Sequence, residues 1–232
     1  MNQEKIWQHF QNEAPEVFQQ ADGRIRFLVR QLKRRTHFGA AVLNVGVGGG
    51  LFERLAIQQG MNIHSLDPDA GAIARLNANR EMKQQAMVGC LESVPFPSAT
   101  FDAVVVSEVL EHLSDGALDQ ALFEIDRVLG PRGLVVGTVP ANENLEEQLT
   151  VCPCCGEKFH RWGHLQTFDD DRLRKVLSLQ FRVQMIREKF FVPWSYVDWK
   201  GKTVCVVKNC LLRLGISWPG ASLYFVAVKR LP

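Results

Sequence analysis

The sequence has almost no excess of charge of either sign. Its 232 residues include 27 lysines and arginines against 25 aspartates and glutamates, which gives a formal net charge of +2. A protein that attracts polyanions over long distances needs a clear excess of positive charge. The composition therefore gives no reason to expect nucleic acid as a partner. Hydrophobic residues at 46% and charged residues at 22% are typical of a folded globular protein.

The sequence also lacks a long apolar run. No segment approaches the roughly 18 apolar residues that cross a bilayer. Residues 1–17 are polar and carry neither an apolar segment nor a small-residue cleavage site, so we expect a cytoplasmic protein without a secretion signal. Six cysteines do not indicate a disulfide framework here, because three of them lie within positions 152–155. In a reducing compartment such a cluster favours metal binding.

Short apolar runs alternate with amphipathic segments after residue 38. Runs such as AAVLNV and FDAVVVS are typical of buried strands, whereas Leu118, Leu122, Ile125 and Leu129 recur at helical spacing. Strands that alternate with helices of this length pair in parallel through right-handed crossovers. The pattern predicts a doubly wound α/β domain.

We divide the sequence into an N-terminal helical segment, 1–37, and a main domain, 38–232, which contains insertions at 150–166 and 192–220. An apolar side in the first segment favours a helix packed by one face over an anion-binding patch. That side consists of Ile25, Phe27, Leu28 and Leu32. The second insertion is predicted to pack its extra helix on the body rather than to form a lid over the substrate. An aromatic cluster lies between the last two predicted strands and consists of Phe190, Phe191, Trp194, Tyr196 and Trp199. The apolar stripe of the extra helix is Val204, Val207, Leu211 and Leu214, which is expected in the core rather than on a membrane or dimer face.

A glycine-rich turn follows the first predicted strand. Glycines at 46, 48, 49 and 50 let the backbone approach a ligand closely and present free N–H groups to it. A dinucleotide fingerprint needs a further glycine at position 51, where Leu51 stands, so NAD is disfavoured. Asp67 ends the second strand, where a carboxylate can accept hydrogen bonds from both hydroxyls of a ribose. The turn and this acid indicate a nucleoside-containing cofactor.

Residues 40–140 resemble the class I S-adenosylmethionine-dependent methyltransferases. VLNVGVGGG is similar to the first motif of that family, Asp67 matches its ribose-binding acid, and VGCLESVPFPSATFDAVVVSEVLEHL is similar to its stretch from the adenine-contacting loop through the fourth strand. The resemblance implies a Rossmann-like, mostly parallel seven-stranded sheet with helices on both faces and an antiparallel C-terminal strand.

The resemblance also implies S-adenosylmethionine as cofactor and S-adenosylhomocysteine as product. The residues that would contact them are Asn44, Gly46, Gly48, Asp67, Pro68, Cys90, Leu91 and Ser107. Two of these depart from the family pattern. Asn44 replaces the usual acid of the first motif, and Cys90 replaces an Asp that accepts from the adenine amine, so adenine recognition would depend on the backbone near Leu91.

Methyl transfer to a small-molecule or glycan acceptor, at a hydroxyl oxygen, is the function that the resemblance implies. The residues after the fourth strand read SEVLEH, without the Asn/Asp-Pro-Pro-aromatic motif of enzymes that methylate the amino groups of nucleic-acid bases. His112 and Glu108 are the catalytic candidates, because ligands bind at the carboxyl ends of such strands and an imidazole can accept a proton near neutrality. For His112 a hydrogen-bonded structural role is the alternative, and for Glu108 simple solvation. A non-catalytic nucleotide- or nucleic-acid-binding module remains the alternative function.

Residues 151–168, VCPCCGEKFHRWGHLQTF, concentrate potential metal ligands. Cys152, Cys155, His160 and His164 follow the spacing C-x2-C-x4-H-x3-H, which offers four ligands to a tetrahedral zinc ion. Four protein ligands favour a structural site over a catalytic one, which keeps a position open, and over nucleic-acid contact. The segment from His164 onward also resembles the methyltransferase stretch beside the substrate, so His164 could face the active site instead.

Overall fold

The computed structural model describes residues 21–82, 85–191, 198–214 and 220–231, together with Ile6 and His9. The strands in these ranges are β1 (Ala41–Val45), β2 (Asn62–Asp67), β3 (Ala86–Val88), β4 (Phe101–Ser107), β5 (Leu129–Pro140), β6 (Leu149–Val151), β7 (Lys158–His160), β8 (Phe181–Lys189) and β9 (Ser222–Lys229). The helices are α1 (Asp22–Lys33), α2 (Leu51–Gln58), α3 (Ala70–Asn77), α4 (Asp115–Val128), α5 (Asp170–Leu177) and α6 (Trp199–Arg213). Short 3-10 turns lie at Arg80–Met82, Leu110–His112 and Leu145–Gln148.

Seven strands form one sheet in the order β3-β2-β1-β4-β5-β9-β8, and β6 pairs with β7 in a separate hairpin. Strands β1 to β5 pair in parallel, whereas β9 is antiparallel to both β5 and β8. The predicted α/β fold, with its seven strands and antiparallel C-terminal strand, is confirmed. The carboxyl ends of β1, β2 and β4 therefore meet along one edge of the sheet.

Each face of the sheet has its own apolar core, because successive side chains of a strand point to opposite faces. On one face Val42 and Val105 pack with residues of α1, α2 and α3. On the other face Leu43 and Val104 pack with residues of α4 and α5. Helices on both faces were predicted, and the central strands are buried on both sides as that arrangement requires.

Helix α1 belongs to the core of the main domain. Leu28 and Leu32 are fully buried, and Ile25 and Phe27 pack against the same cluster as β1 and α2. The predicted apolar side of this segment is confirmed for the residues that the structure describes. Helices α3, α5 and α6 each follow an aspartate whose side chain accepts a backbone N–H of the first turn, namely Asp69, Asp169 and Asp198.

Helix α6 exposes most of the apolar stripe that was expected in the core. Val204, Val207 and Leu214 are 54%, 50% and 76% exposed, so the prediction is wrong for these three residues. The reason is the rotation of the helix, which buries Cys205 instead. The Asn209 amide exchanges hydrogen bonds with the backbone of Phe190 just after β8, which fixes this orientation. Trp194 and Tyr196 lie outside the described residues.

None of the helices in the described ranges combines the length and the apolar character needed to cross a membrane.

Candidate active site

The glycine turn after β1 is tied to the end of β2 by Asp67. Gly46 and Gly48 have φ angles of 81° and 48°, in the left-handed region that favours glycine. The Asp67 carboxylate, 3% exposed, accepts hydrogen bonds from the backbone N–H of Val47 at 2.9 Å and of Asp69 at 2.8 Å. The structure thus brings three predicted cofactor residues, Gly46, Gly48 and Asp67, to the same edge of the sheet.

The other predicted cofactor residues surround this edge. Pro68 is exposed in the turn that follows β2. Cys90 is exposed and Leu91 is buried in the loop after β3, and the N–H of Gly89 donates to the Asp67 carbonyl at 3.1 Å. Ser107 ends β4, where its hydroxyl and that of Thr138 are hydrogen-bonded at 2.9 Å. These positions agree with a cofactor lying along the ends of β1, β2, β3 and β4.

Asn44 belongs to a buried polar cluster that the sequence did not reveal. Its amide donates to Glu53 Oε1 at 2.7 Å and to the Gly46 carbonyl at 3.3 Å, and the Ser65 hydroxyl donates to the same Glu53 oxygen at 2.8 Å. Glu53 is 1% exposed, and burial is the main cause that raises its pKa above the ordinary value of 4.5. A carboxylate is therefore present beside the first motif, but it comes from α2 rather than from position 44.

We expect Asn44→Asp, which restores the usual family acid, to destabilise the protein. The new carboxylate would face Glu53 Oε1 where an amide now donates, and neither group has water to solvate it. The free energy of unfolding at pH 7 should fall by about 2–3 kcal/mol in urea denaturation. The double variant Asn44→Asp/Glu53→Gln should recover more than about 1 kcal/mol of this loss, because the new amide donates in the reverse direction. Additive losses would contradict the pairing.

Glu53→Gln alone has a pH signature with a defined sign. Because the folded state raises the pKa of Glu53, this group contributes stability below its ordinary pKa of 4.5 and loses that contribution as the pH rises through the raised value. Glutamine keeps the oxygen that Asn44 and Ser65 contact and does not titrate. The stability of the variant relative to the wild type should therefore increase with pH above about 4.5, and a constant difference from pH 4 to pH 8 would refute the assignment.

The turn after β4 carries the two catalytic candidates. Glu108 has a φ of 57°, an unfavourable value for a residue with a side chain, and strain of this kind is often found at functional sites. Its Oε2 lies 3.7 Å from Nη1 of Arg24, whereas Oε1 is buried without a hydrogen-bond partner among the described residues. A Cβ at Gly46 would lie 3.2 Å from Cγ2 of Val109, so this turn touches the glycine loop.

Three histidines and two glutamates gather beside this turn. His112 Nδ1 lies 3.2 Å from the Gly163 carbonyl oxygen, and His164 Nδ1 lies 2.5 Å from Glu143 Oε2. The rings of His160 and His164 stack at 4.6 Å between centroids, and those of His112 and His164 meet edge to face at 4.8 Å. The segment after His164 is held beside the turn that follows β4, because the N–H groups of Leu165 and Gln166 donate to the Glu111 carbonyl at 2.8 and 3.1 Å.

Burial keeps this cluster from holding many charges. It lowers the pKa of His112 to about 3, with the neighbouring His164 acting in the same direction, so this imidazole is neutral near pH 7. Burial also raises the pKa of the Glu111 carboxyl well above its ordinary value, and the nearby Glu108 adds to that effect. A base with a pKa near 3 has little driving force to accept a proton at neutrality, which makes the general-base role expected of His112 chemically unfavourable.

The structure does not bring the four predicted zinc ligands together. The cysteines occupy the tip of the β6–β7 hairpin, where Gly156 adopts a φ of 72° and Cys155 is exposed, whereas His160 ends β7 at the base. Strands advance about 3.3 Å per residue, so three residues of β7 separate tip and base by about 10 Å. Among the described residues, the groups that could share an ion combine His164 with glutamates and another histidine, not with cysteine. A zinc ion bound by Cys152, Cys155, His160 and His164 stays a prediction.

Three residues of this edge were missed by sequence reasoning. Glu53 had a weak signal, because it lies three positions before the buried Ala56 of an amphipathic helix. Arg24 and Glu143 had no signal in the sequence, because each contacts a partner that is distant in the sequence, Glu108 and His164 respectively.

Comparisons with known proteins agree with this geometry. Residues 43–137 match a family model described as methyltransferase domain. The malonyl-[acyl-carrier protein] O-methyltransferase of Serratia marcescens is 31% identical over 112 residues, which are 48% of this chain and 43% of that protein. A ubiquinone biosynthesis O-methyltransferase of Xylella fastidiosa (strain M23) is 36% identical over 92 residues, which are 37% of this chain and 36% of that protein. The matched region thus spans less than half the length of either relative.

The fold has solved counterparts as well. A crystal structure of an S-adenosylmethionine-dependent methyltransferase from Methanosarcina mazei is similar at a TM-score of 0.65 and 16% identity, over 87% of this chain and 98% of that chain. At this identity the likeness shows the fold alone. Residues 43–137, the part that matches the methyltransferase-domain model, run from β1 to β5 and include the glycine loop, Asp67 and the turn after β4.

Proposed function

We propose that this chain transfers a methyl group from S-adenosylmethionine to a hydroxyl oxygen of a small-molecule or glycan acceptor. One observation carries the proposal: the glycine loop fixed by Asp67 touches the turn that bears Glu108. Cofactor-side and acceptor-side groups therefore share one crevice at the carboxyl ends of the strands. Transfer to oxygen is supported by the two relatives described above, both of which are named as O-methyltransferases.

The residues at this edge fit the cofactor. Glycines with positive φ leave the loop backbone open to close approach, and the buried Asp67 carboxylate holds that loop in place. When bound, the cofactor would supply a methyl group on a sulfonium, and the electron pair of the broken carbon–sulfur bond would stay on sulfur while the acceptor hydroxyl loses its proton to a base. The protein's task is then mainly to orient the acceptor and to exclude water.

Glu108 is the group that we assign to the acceptor hydroxyl. Arg24 lies beside one of its oxygens, and the other oxygen is buried without a partner among the described residues. An unpaired carboxylate oxygen at the crevice can accept the hydroxyl hydrogen bond, orient the nucleophile and receive its proton. His112 is better suited to a neutral role, as a hydrogen-bond acceptor or ligand, than to proton transfer at neutral pH.

Calorimetry on the full chain tests the cofactor assignment. We expect S-adenosylhomocysteine to bind with a 1:1 stoichiometry and NAD not to bind. Asp67→Ala removes the carboxylate that holds the glycine loop and that we assign to the ribose hydroxyls. Its dissociation constant for S-adenosylhomocysteine should rise about 10- to 100-fold, as expected for the loss of hydrogen bonds to a charged group. Asp115→Ala, at an exposed position in α4, is the matched control and should bind as the wild type does. Binding of NAD alone would refute the proposed cofactor, and unaltered binding by Asp67→Ala would refute the placement of the ribose.

A further inference from the structure

Glu111 is a buried carboxylate that no described hydrogen-bond donor reaches. Its side chain is 1% exposed, and both of its oxygens lack a hydrogen-bond partner among the described residues. Buried carboxylates are normally paired with a cation, hydrogen-bonded or bound to a metal, because desolvation without compensation is strongly unfavourable. The surroundings of Glu111 therefore have to supply a positive charge or a proton.

His112 and His164 each use one ring nitrogen to donate a hydrogen bond. The other ring nitrogen of each neutral imidazole then carries the lone pair. Since a carbonyl oxygen only accepts, Nδ1 of His112 donates to Gly163 and the lone pair is on Nε2. Nδ1 of His164 likewise donates to the Glu143 carboxylate, and its Nε2 lies 4.0 Å from Glu111 Oε1. The 4.0 Å between His164 Nε2 and Glu111 Oε1 is too long for a hydrogen bond, even if this Nε2 carried a proton.

These ligand atoms are close enough to share one ion. One ligand atom from each of Glu111, His112 and His164 lies within 4.8 Å of the others. Two ligands at about 2.1 Å from one ion can be up to about 4.2 Å apart, so the 4.0 Å separation between His164 and Glu111 is compatible with binding. Two imidazoles and a carboxylate are a common ligand set for divalent transition metals.

His160 is not suited to join this set. Its Nδ1 accepts the backbone N–H of His164 at 3.1 Å, so the proton of the neutral ring is on Nε2, which faces Glu143 Oε1 at 3.5 Å. A nitrogen that carries a proton cannot be a ligand. The second possible group, Glu143 with His160 and His164, is therefore disfavoured, and Glu143 acts instead as the carboxylate that orients a metal-binding histidine.

We propose that Glu111, His112 and His164 bind one divalent transition-metal ion, and that Glu143 orients His164. Three protein ligands leave a position open, as in catalytic zinc sites. The turn that carries Glu111 and His112 follows Glu108 directly, so the site is next to the acceptor side of the crevice. An ion held there would supply a Lewis acid that favours loss of the proton of an acceptor hydroxyl; this role, unlike the metal site itself, depends on the proposed function.

Metal titration of the full chain tests the site independently of methyl transfer. Protein stripped with EDTA is titrated with Zn²⁺ and Mn²⁺ by calorimetry and with Co²⁺ by absorption spectroscopy. We expect one ion per chain and a cobalt spectrum without a sulfur charge-transfer band. Glu111→Gln and His164→Gln should each weaken binding more than about 100-fold, and Glu143→Gln about 10- to 100-fold.

Two control variants separate this site from the cysteine-containing one. Cys152→Ser/Cys155→Ser and the exposed Glu146→Gln should bind metal as the wild type does. The proposal is overturned if the wild type shows no saturable binding below about 1 mM, or if the cysteine variant rather than Glu111→Gln loses the ion.

Folding and the cofactor are checked on the same samples. Glu111→Gln keeps the size of a buried side chain without its acidic group, so its circular dichroism and melting temperature should show a folded protein. S-adenosylhomocysteine calorimetry keeps the two proposals apart. Cofactor binding without metal binding would refute only the metal site, and metal binding without cofactor binding would refute only the proposed function.

Discussion

Replacing Gly137 with alanine should strongly destabilise the folded protein. Gly137 lies in β5 between Val106 of β4 and Phe225 of β9, and a Cβ there would lie 2.0 Å from the Val106 carbonyl oxygen and 2.6 Å from Cζ of Phe225. The aromatic ring can move, but the carbonyl belongs to a central strand that is hydrogen-bonded on both sides. We expect the free energy of unfolding to fall by about 3 kcal/mol or more, a large part of the 5–15 kcal/mol typical of a domain.

Urea denaturation with two companion variants identifies the cause of that loss. Gly116→Ala in α4 meets no atom within 4 Å and should raise stability by up to about 1 kcal/mol through helix propensity. Gly137→Ala/Phe225→Leu should recover little, because the smaller side chain does not move the Val106 carbonyl. A melting temperature for Gly137→Ala within about 2 °C of the wild type would contradict the close approach of the two strands.

Glu108→Gln should abolish most methyl transfer while leaving the cofactor bound. Glutamine keeps the size of the side chain but cannot take up the acceptor's proton, and it removes the charge beside Arg24. Loss of a positioned base typically reduces turnover about 100- to 10,000-fold. Turnover is followed as formation of S-adenosylhomocysteine with a hydroxyl acceptor obtained by screening catechols, phenols and sugars.

The matched control for this variant is Glu147→Gln, at an exposed position in the turn Leu145–Gln148. It should retain wild-type turnover. S-adenosylhomocysteine should bind to Glu108→Gln within about twofold of its wild-type affinity, since no cofactor contact is assigned to that side chain. Turnover by Glu108→Gln within a few-fold of the wild type would show that Glu108 neither orients nor deprotonates the acceptor, and a parallel loss of cofactor affinity would indicate a structural defect instead.

Much of the fold could be predicted because strand and helix patterns are local. The runs AAVLNV and FDAVVVS became β1 and β4, and the helical spacing around Leu122 became α4. The start of β5 could not be predicted in this way. Leu129 pairs with Phe101, and the strand then passes through Gly130 and Gly133, where the sequence alone indicates a break. Pairing with a neighbouring strand decides that boundary.

The candidate site was predictable only where its residues lie in local motifs. Gly46 and Glu108 follow β1 and β4, and Asp67 ends β2, so their common edge could be derived from the parallel pairing. Glu143 and Arg24 are brought to the site by folding, and no spacing pattern in the sequence predicts that they belong to it. The ligand spacing of the Cys/His segment does not by itself determine the distance between its cysteines and histidines, because that distance depends on how β6 pairs with β7.

The position of β9 has a consequence for synthesis on the ribosome. This strand begins at residue 222, yet it lies between β5 and β8 and, among the described strands, links them in the sheet. Until β9 emerges, the edge of β5 that it covers is open, and β8 lacks the strand with which it pairs. The nascent chain can therefore assemble β1 to β5 with their helices early, but it exposes a long apolar strand edge until β9 arrives. Chaperone binding to ribosome-bound chains should accordingly be strongest just before this strand is released.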